Sequence, residues 1–183
     1  SGPASGIVEV MNENGEDVAT IDIGFYIETL NISDNGEWIV VAGADQILRV
    51  FNSDLEPVRD IPIGSVINDV EIDNDGNVVV GTDSSTIEGF DESGNAIFTF
   101  STDWRVTSID LSDDGMYVAG ADLNGYFYIL DEEGNQIWRM HGDKIARSVA
   151  FSKDNQSLLT GTETGDIQIL NISSIIKESE KEQ

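Results

Sequence analysis

The 183-residue chain has no cysteine, one histidine, three prolines and nine basic residues, and no apolar run near the ~20 residues that span a bilayer. Each shortage excludes something. Without thiols there is no disulfide framework, no zinc-thiolate site and no cysteine nucleophile. With 35 acidic residues against nine basic ones, the net charge of -26 repels phosphate backbones and anionic lipid, so neither nucleic-acid binding nor membrane insertion is expected. His141 is the only imidazole, and no serine stands in a nucleophile-elbow context, so the chain is expected not to be an enzyme. The opening SGPASG lacks the charged and apolar regions of a signal peptide, so any targeting segment is expected to be missing or already removed.

What the chain does have is 39% apolar residues, 18 glycines and a repeat of ~40 residues. IETLNISDNG (27–36), INDVEIDNDG (67–76), VTSIDLSDDG (106–115) and ARSVAFSKDN (146–155) superimpose. Each carries apolar residues at alternate positions (Leu30 and Ile32, Val70 and Ile72, Ile109 and Leu111, Val149 and Phe151) running into a polar turn, the mark of a strand and a tight reversal. A second, β-branched strand ends in Gly43-Ala44-Asp45, Gly81-Thr82-Asp83, Gly120-Ala121-Asp122 and Gly161-Thr162-Glu163, taken as equivalent. A third strand follows (ILRVFN, TIEGFD, YFYILD, DIQILN), and a fourth closes three units (PVRDIPI, AIFTF, QIWRM). Four short strands per ~40 residues describe β-propeller blades better than a sandwich.

These residues resemble known families. GYFYILDEEGNQIW (125–138) resembles a PQQ-like propeller repeat, and HGDKIARSVAFSKDNQSLLTGTETGDIQIL (141–170) resembles a WD-repeat, which sets the chain between the two. Where a WD-repeat has Trp-Asp, this chain has Phe51-Asn52, Phe90-Asp91, Leu130-Asp131 and Leu170-Asn171. The resemblance implies an all-β propeller of four-stranded antiparallel blades, a fold that hosts many functions. Quinone-dependent catalysis, which the PQQ-like stretch would imply, needs a full ring with a ligand-bearing funnel, so no cofactor is expected.

The organisation expected is the outer strands of one blade (1–26), full blades at 27–65, 66–105 and 106–145, and the inner strands of a last blade at 146–172. SGPASGIVEVMN (1–12) aligns with TGTETGDIQILN (160–171), so the chain starts inside a blade. That is about four blades' worth, a partial ring or one closed by another chain, whose edges invite pairing. The polar tail 173–183 is expected to be a linker, the alternative being a short helix capped by Ser173 or Ser174.

EIDNDG (71–76) offers Glu71, Asp73 and Asp75 at alternate positions, like the start of a calcium loop, yet Thr82 stands where the bidentate glutamate belongs. Hairpin chemistry explains the same residues, and no metal is expected. LSDDGMYVAGAD (111–122) poses the same question, and the repeat assigns Asp113 and Asp114 to one end of a blade and Asp122 to the other. Trp38 and Trp138 are expected to pack between blades, and Trp104 to be exposed. Sequons stand at Asn31, Asn155 and Asn171, close to the number chance gives, so they carry little information; the location expected is extracellular or cell surface.

Assigned to loops, the charge is asymmetric. The first-to-second and third-to-fourth turns carry acids from Glu13 to Asp154 against Lys153 alone. Arg59, Arg105, Arg139, Lys144 and Arg147, with His141 and Trp104, fall on fourth strands or the connections after them. That second face is the expected protein-binding surface, since arginine and tryptophan are enriched in interface anchors. The function expected is a non-catalytic scaffold for protein interaction or self-assembly; the alternatives are a structural subunit of an extracellular assembly and a fragment of a propeller enzyme.

Overall fold

The computed structural model describes residues 6–179. Strands β1 (Ile7–Met11) and β2 (Asp17–Asp22) pair as a two-stranded sheet. Three four-stranded antiparallel blades follow, each in meander order. The first is β3 (Ile27–Ile32), β4 (Trp38–Gly43), β5 (Ile47–Asn52) and β6 (Pro57–Pro62). The second is β7 (Ile67–Ile72), β8 (Val78–Thr82), β9 (Thr86–Phe90) and β10 (Ala96–Ser101), and the third β11 (Val106–Leu111), β12 (Tyr117–Asp122), β13 (Tyr126–Asp131) and β14 (Gln136–His141). A three-stranded sheet, β15 (Ala146–Phe151), β16 (Ser157–Thr162) and β17 (Ile167–Asn171), leads into α1 (Ile172–Ser179).

The first strands β3, β7, β11 and β15 contact one another in turn and line the inner edge of the array, which does not close into a ring among the described residues. The core lies between blades. Val40, Leu48 and Val50 of the first blade pack against Ile67, Val70 and Val80 of the second; Trp38 joins that cluster, and Trp138 joins the one between the third and last blades. Side chains on inner strands also stitch each blade to the next. Asp69 Oδ2 accepts from the Ile109 amide at 2.9 Å, Asp110 accepts from the Phe151 amide, and Thr107 Oγ1 donates to the Ala146 carbonyl at 2.8 Å.

The first hairpins explain why the quoted turns repeat. Their fourth residue has a left-handed backbone, Gly36 at φ 74°, Gly76 at 87°, Gly115 at 70°, and Asn155 at 54°. Glycine adopts this conformation freely, and asparagine is a tolerated substitute.

Two expectations are corrected. The glycines taken as equivalent are not in one register: Gly81 and Gly161 face Asp69 and Ser148, but Gly43 faces Ile27 and Gly120 faces Ile109. Burial of the alternate apolar residues sets the register, and the glycines move one place around it. Asp122 is therefore the counterpart of Gly43, Thr82 and Thr162, closing strand β12 rather than sitting in a turn. It still lies a strand's length, about 17 Å, from Asp113 and Asp114.

The tail is helical over residues 172–179, not a linker, and its cap is neither Ser173 nor Ser174. Asn171 Oδ1 accepts from the Ser174 amide and hydroxyl, both at 3.0 Å, as an N-cap does. Ile172 and Ile175, three residues apart, are buried in the cluster that contains Trp138 and Met140, which is why this stretch holds a helix. Residues 180–183 of the expected tail lie outside the described residues.

Candidate functional site

On the face where β10 meets β11, β12 meets β13 and β14 meets β15, one buried carboxylate organises the surroundings. Asp122 is fully buried. Its Oδ1 accepts from the Asn124 and Tyr126 amides at 3.0 and 2.9 Å, fixing the turn into β13. Its Oδ2 accepts from the Tyr128 hydroxyl at 2.8 Å and from the Trp104 amide at 3.3 Å, tying that turn to the connection between the neighbouring blades. Tyr128 is itself buried, and its oxygen also accepts from the Asp103 amide at 3.1 Å. Burial, with Asp122 alongside, pushes the phenol far above its usual range, so it stays a hydrogen-bond donor.

Outside this network lies a polar aromatic surface. The Arg139 guanidinium sits 3.7 Å over the Tyr126 ring and pairs with Asp103 at 2.6 Å. His141 packs against the Tyr126 ring itself, centroids 4.3 Å apart and tilted by 41°, with Nε2 3.2 Å from the Asn124 carbonyl, which can only accept. Trp104 is 56% exposed, although its backbone is held at both ends by Asp122 and by a 2.6 Å bond from the Thr102 hydroxyl to its carbonyl. The result is a large apolar group presented on a fixed backbone.

The seven residues expected on this face separate into groups. Trp104, Arg139 and His141 surround the Asp122–Tyr128 network. Arg105 and Arg147 line a shallow cavity of about 230 Å³ with Asn68 and Thr107, at the start of the inner strands. Their ion pairs, with Asp83 at 3.7 Å and Glu163 at 3.8 Å, are long and half-exposed. Lys144 lines a larger cavity, about 500 Å³, between β14 and the last blade, together with Met140, His141 and Thr162.

Arg59 does not belong with them. It lies near the start of β6, and its side chain reaches to the Gly76 carbonyl in a turn of the next blade, where Asp73, Asp91 and Glu92 offset the cost of its burial. It is thus a blade-to-blade tie on the acidic face. Sequence reasoning missed Asp103, Tyr126, Tyr128 and the role of Asp122. The available signal was YFY in β13, where a buried tyrosine calls for a polar partner at the strand end.

The opposite face uses its polar groups differently. Asp73 Oδ1 accepts from the Asp75 and Asn77 amides at 2.9 and 2.8 Å, and its Oδ2 accepts from the Asn77 side chain. Asp91 and Asp131 make the same turn with Asn95 and Asn135. The residues standing where a WD-repeat has aspartate therefore bend the chain, and in the last blade Asn171 caps α1 instead. Glu71 accepts from Asn31 Nδ2 at 2.8 Å while Asp73 is committed to its own turn, so these two EIDNDG carboxylates serve different partners. No cluster of three or more histidine, aspartate or glutamate residues is arranged to hold a metal ion among the described residues. All three sequon asparagines are engaged in structure: Asn31 with Glu71, Asn155 through Oδ1 with the Asp113 amide at 2.9 Å, and Asn171 as the helix cap.

At this end the inner strands enclose about 320 Å³ lined by Asp34, Glu71, Asp110 and Asp113 with Lys153. Burial, reinforced by Asp110 and Asp69, pushes Glu71 up to about 8. Burial likewise pushes Asp110 up to about 6 and raises Asp69.

Residues 18–52 match the family model of the WD domain, G-beta repeat. One unit of this chain is similar to a WD repeat. The matched unit runs from within β2 through β3, β4 and β5, so it takes the outermost strand of one sheet and three strands of the next blade. WD repeats are usually non-catalytic protein-interaction scaffolds. No curated protein matches the chain. No helix among the described residues is long and apolar enough to cross a membrane.

Proposed function

We propose that the chain is a non-catalytic scaffold that binds a protein partner through the face carrying Trp104, Arg105, Arg139, His141, Lys144 and Arg147. The observation that carries this reading is the exposed Trp104 indole on a backbone pinned by Asp122 and Thr102. An exposed aromatic that is already ordered loses little conformational freedom on binding, which is what an anchor residue needs. Arg105 and Arg147 support it, because their long ion pairs exchange at little cost for a partner's carboxylate. The partner expected is a protein segment with an apolar pocket for the indole and acidic groups beside it.

The 125–138 stretch, with its PQQ-like resemblance, contributes the aromatic packing of Tyr126 and Trp138 in this reading rather than a cofactor seat. The test is triple alanine substitution at Trp104, Arg105 and Arg147. Partner affinity is expected to fall by about thirtyfold or more, a ~2 kcal/mol loss typical of anchor residues, while the thermal midpoint stays put. Unchanged affinity would sink the proposal.

A further inference from the structure

The interface between the second and third blades, both complete, lacks the side chains that close its neighbours. Trp38, Asn77 and Tyr117 are counterparts, since the carbonyl of each accepts from the first amide of its own hairpin turn, Ser33, Asp73 and Ser112, at 2.9, 3.0 and 3.0 Å. Arg59, Phe98 and Trp138 are likewise counterparts, opposite Val50, Gly89 and Ile129. Trp38 and Arg59 fill the space between the first and second blades, and Tyr117 and Trp138 fill it between the third blade and the last sheet. Between the second and third, the short Asn77 stands in place of a ring. Phe98 turns onto Gly89 and Gly134 instead, where a methyl group on either glycine would lie 2.4 Å from its ring. A slot of about 310 Å³ remains, bordered by Asn77, Phe98, Leu111, Gly115 and Glu132. A methyl group on Gly76 would touch the Trp38 ring at 3.4 Å; on Gly115 it would meet only Asp73 Oδ2, at 3.8 Å.

The filled interface shows what fits the open one. The Arg59 guanidinium donates to the Gly76 carbonyl, and Asp73, Asp91 and Glu92 of the facing blade offset the cost of its burial. One blade on, the matching groups are the Gly115 carbonyl, Asp131 and Glu132, with Glu133 in the place of Ser93 and Asp73 on the near wall. The acids recur and the arginine does not. The Gly115 carbonyl accepts no hydrogen bond among the described residues. Val79, Phe98 and Leu111 give the slot an apolar wall, suited to a methylene stem.

We infer that this slot takes an arginine side chain from a basic protein segment, with the guanidinium on the Gly115 carbonyl beside Glu132 and Glu133 and the methylenes along Phe98. A planar guanidinium fits better than an ammonium, because it donates to a carbonyl and to carboxylates at once. The chain's net charge of -26 steers such a segment inward. The slot is separate from the mixed face: it lies at the other end of the strands from Trp104, and Asp113 lines the inner-strand cavity rather than the slot.

The test titrates the capped peptide Ala-Arg-Ala into the full chain at low salt and follows backbone amide signals by NMR. The Gly115 and Glu132 amides are expected to shift and saturate. A lysine peptide should bind about fivefold more weakly, and a citrulline peptide, which keeps the shape without the charge, should not bind. Asn77→Trp, which sets here the ring that Trp38 sets at the first interface, is expected to abolish binding. Glu132→Gln with Glu133→Gln, at exposed positions that leave the thermal midpoint in place, should weaken it about fivefold. Alanine at Trp104, Arg105 and Arg147 should leave it unchanged, which keeps this result apart from the fate of the mixed face. No saturable shift at Gly115, equal binding of the lysine or citrulline peptide, full affinity in the double glutamine variant, or binding lost with the mixed-face alanines would each overturn the inference.

Discussion

Asp73 and Asp122 are the same residue type with opposite duties, and they mark the difference between the two faces. Asp73 spends its carboxylate's hydrogen bonds on its own five-residue turn, as Asp91 and Asp131 do, so ties between hairpins of the acidic face fall to other side chains, Arg59 on the Gly76 carbonyl and Asn155 on the Asp113 amide. Asp122 spends its bonds on three segments and so fixes the loop that displays Trp104. Net charge alone suggests that the acidic face is the more reactive. In fact Asp73, Asp91, Asp114, Asp131 and Asp154 commit their carboxylates to the amides of their own turns, while the mixed face holds its exposed side chains on a buried frame.

The largest test of this contrast is Asp122→Ala. It strands two turn amides and the Trp104 amide and leaves the Tyr128 hydroxyl only the Asp103 carboxylate to donate to, and is expected to cost about 3 kcal/mol or more in denaturant unfolding. The same change at Asp73 removes one exposed turn and should cost about 1 kcal/mol. Equal losses would erase the distinction between the faces.

Next comes pH. The unfolded Glu and Asp release their protons near 4.5 and 3.8, but Glu71 and Asp110 hold theirs to about 8 and about 6 in the fold. The folded state binds more protons across that interval, so the contribution of these groups is full below about pH 4 and is lost as pH rises toward 8. Glu71→Gln should therefore gain stability over the parent as pH is raised from 5 to 9, by on the order of a few kcal/mol. A difference that stays constant with pH would contradict the burial of Glu71 beside Asp110 and Asp69.

Smaller effects bear on the mixed face. Arg139→Ala removes the stacking on Tyr126 and the Asp103 ion pair, for about 1 kcal/mol in thermal unfolding. Asp83→Asn, which breaks only the long pair with Arg105, should change stability by less than about 0.5 kcal/mol. A larger loss there would mean that Arg105 is committed to the fold and not free for a partner.

The blades were legible because alternating apolar residues and turn signals repeat at ~40 residues, and both are local properties of the chain. The exposed Trp104 was legible for the same reason, since it falls between repeats. The register of Gly43 and Gly120 was not, because it is decided by packing across strands. Nor was Arg59, whose long side chain reaches into a turn of the next blade. The α1 cap escaped because Asn171 occupies a position that bends the chain in every other unit; only the burial of Ile172 and Ile175 against the preceding blade turns it into a helix start.

The central claim, that the mixed face is the docking face, is tested most directly by site-specific photo-crosslinking. A photoreactive amino acid at position 104 is compared with one at position 113 on the acidic face, in extract containing native partners. The account predicts a discrete protein adduct at 104 that disappears when Arg105 and Arg147 are alanine, and none at 113. Adducts at 113 alone, or equally at both positions, would contradict it.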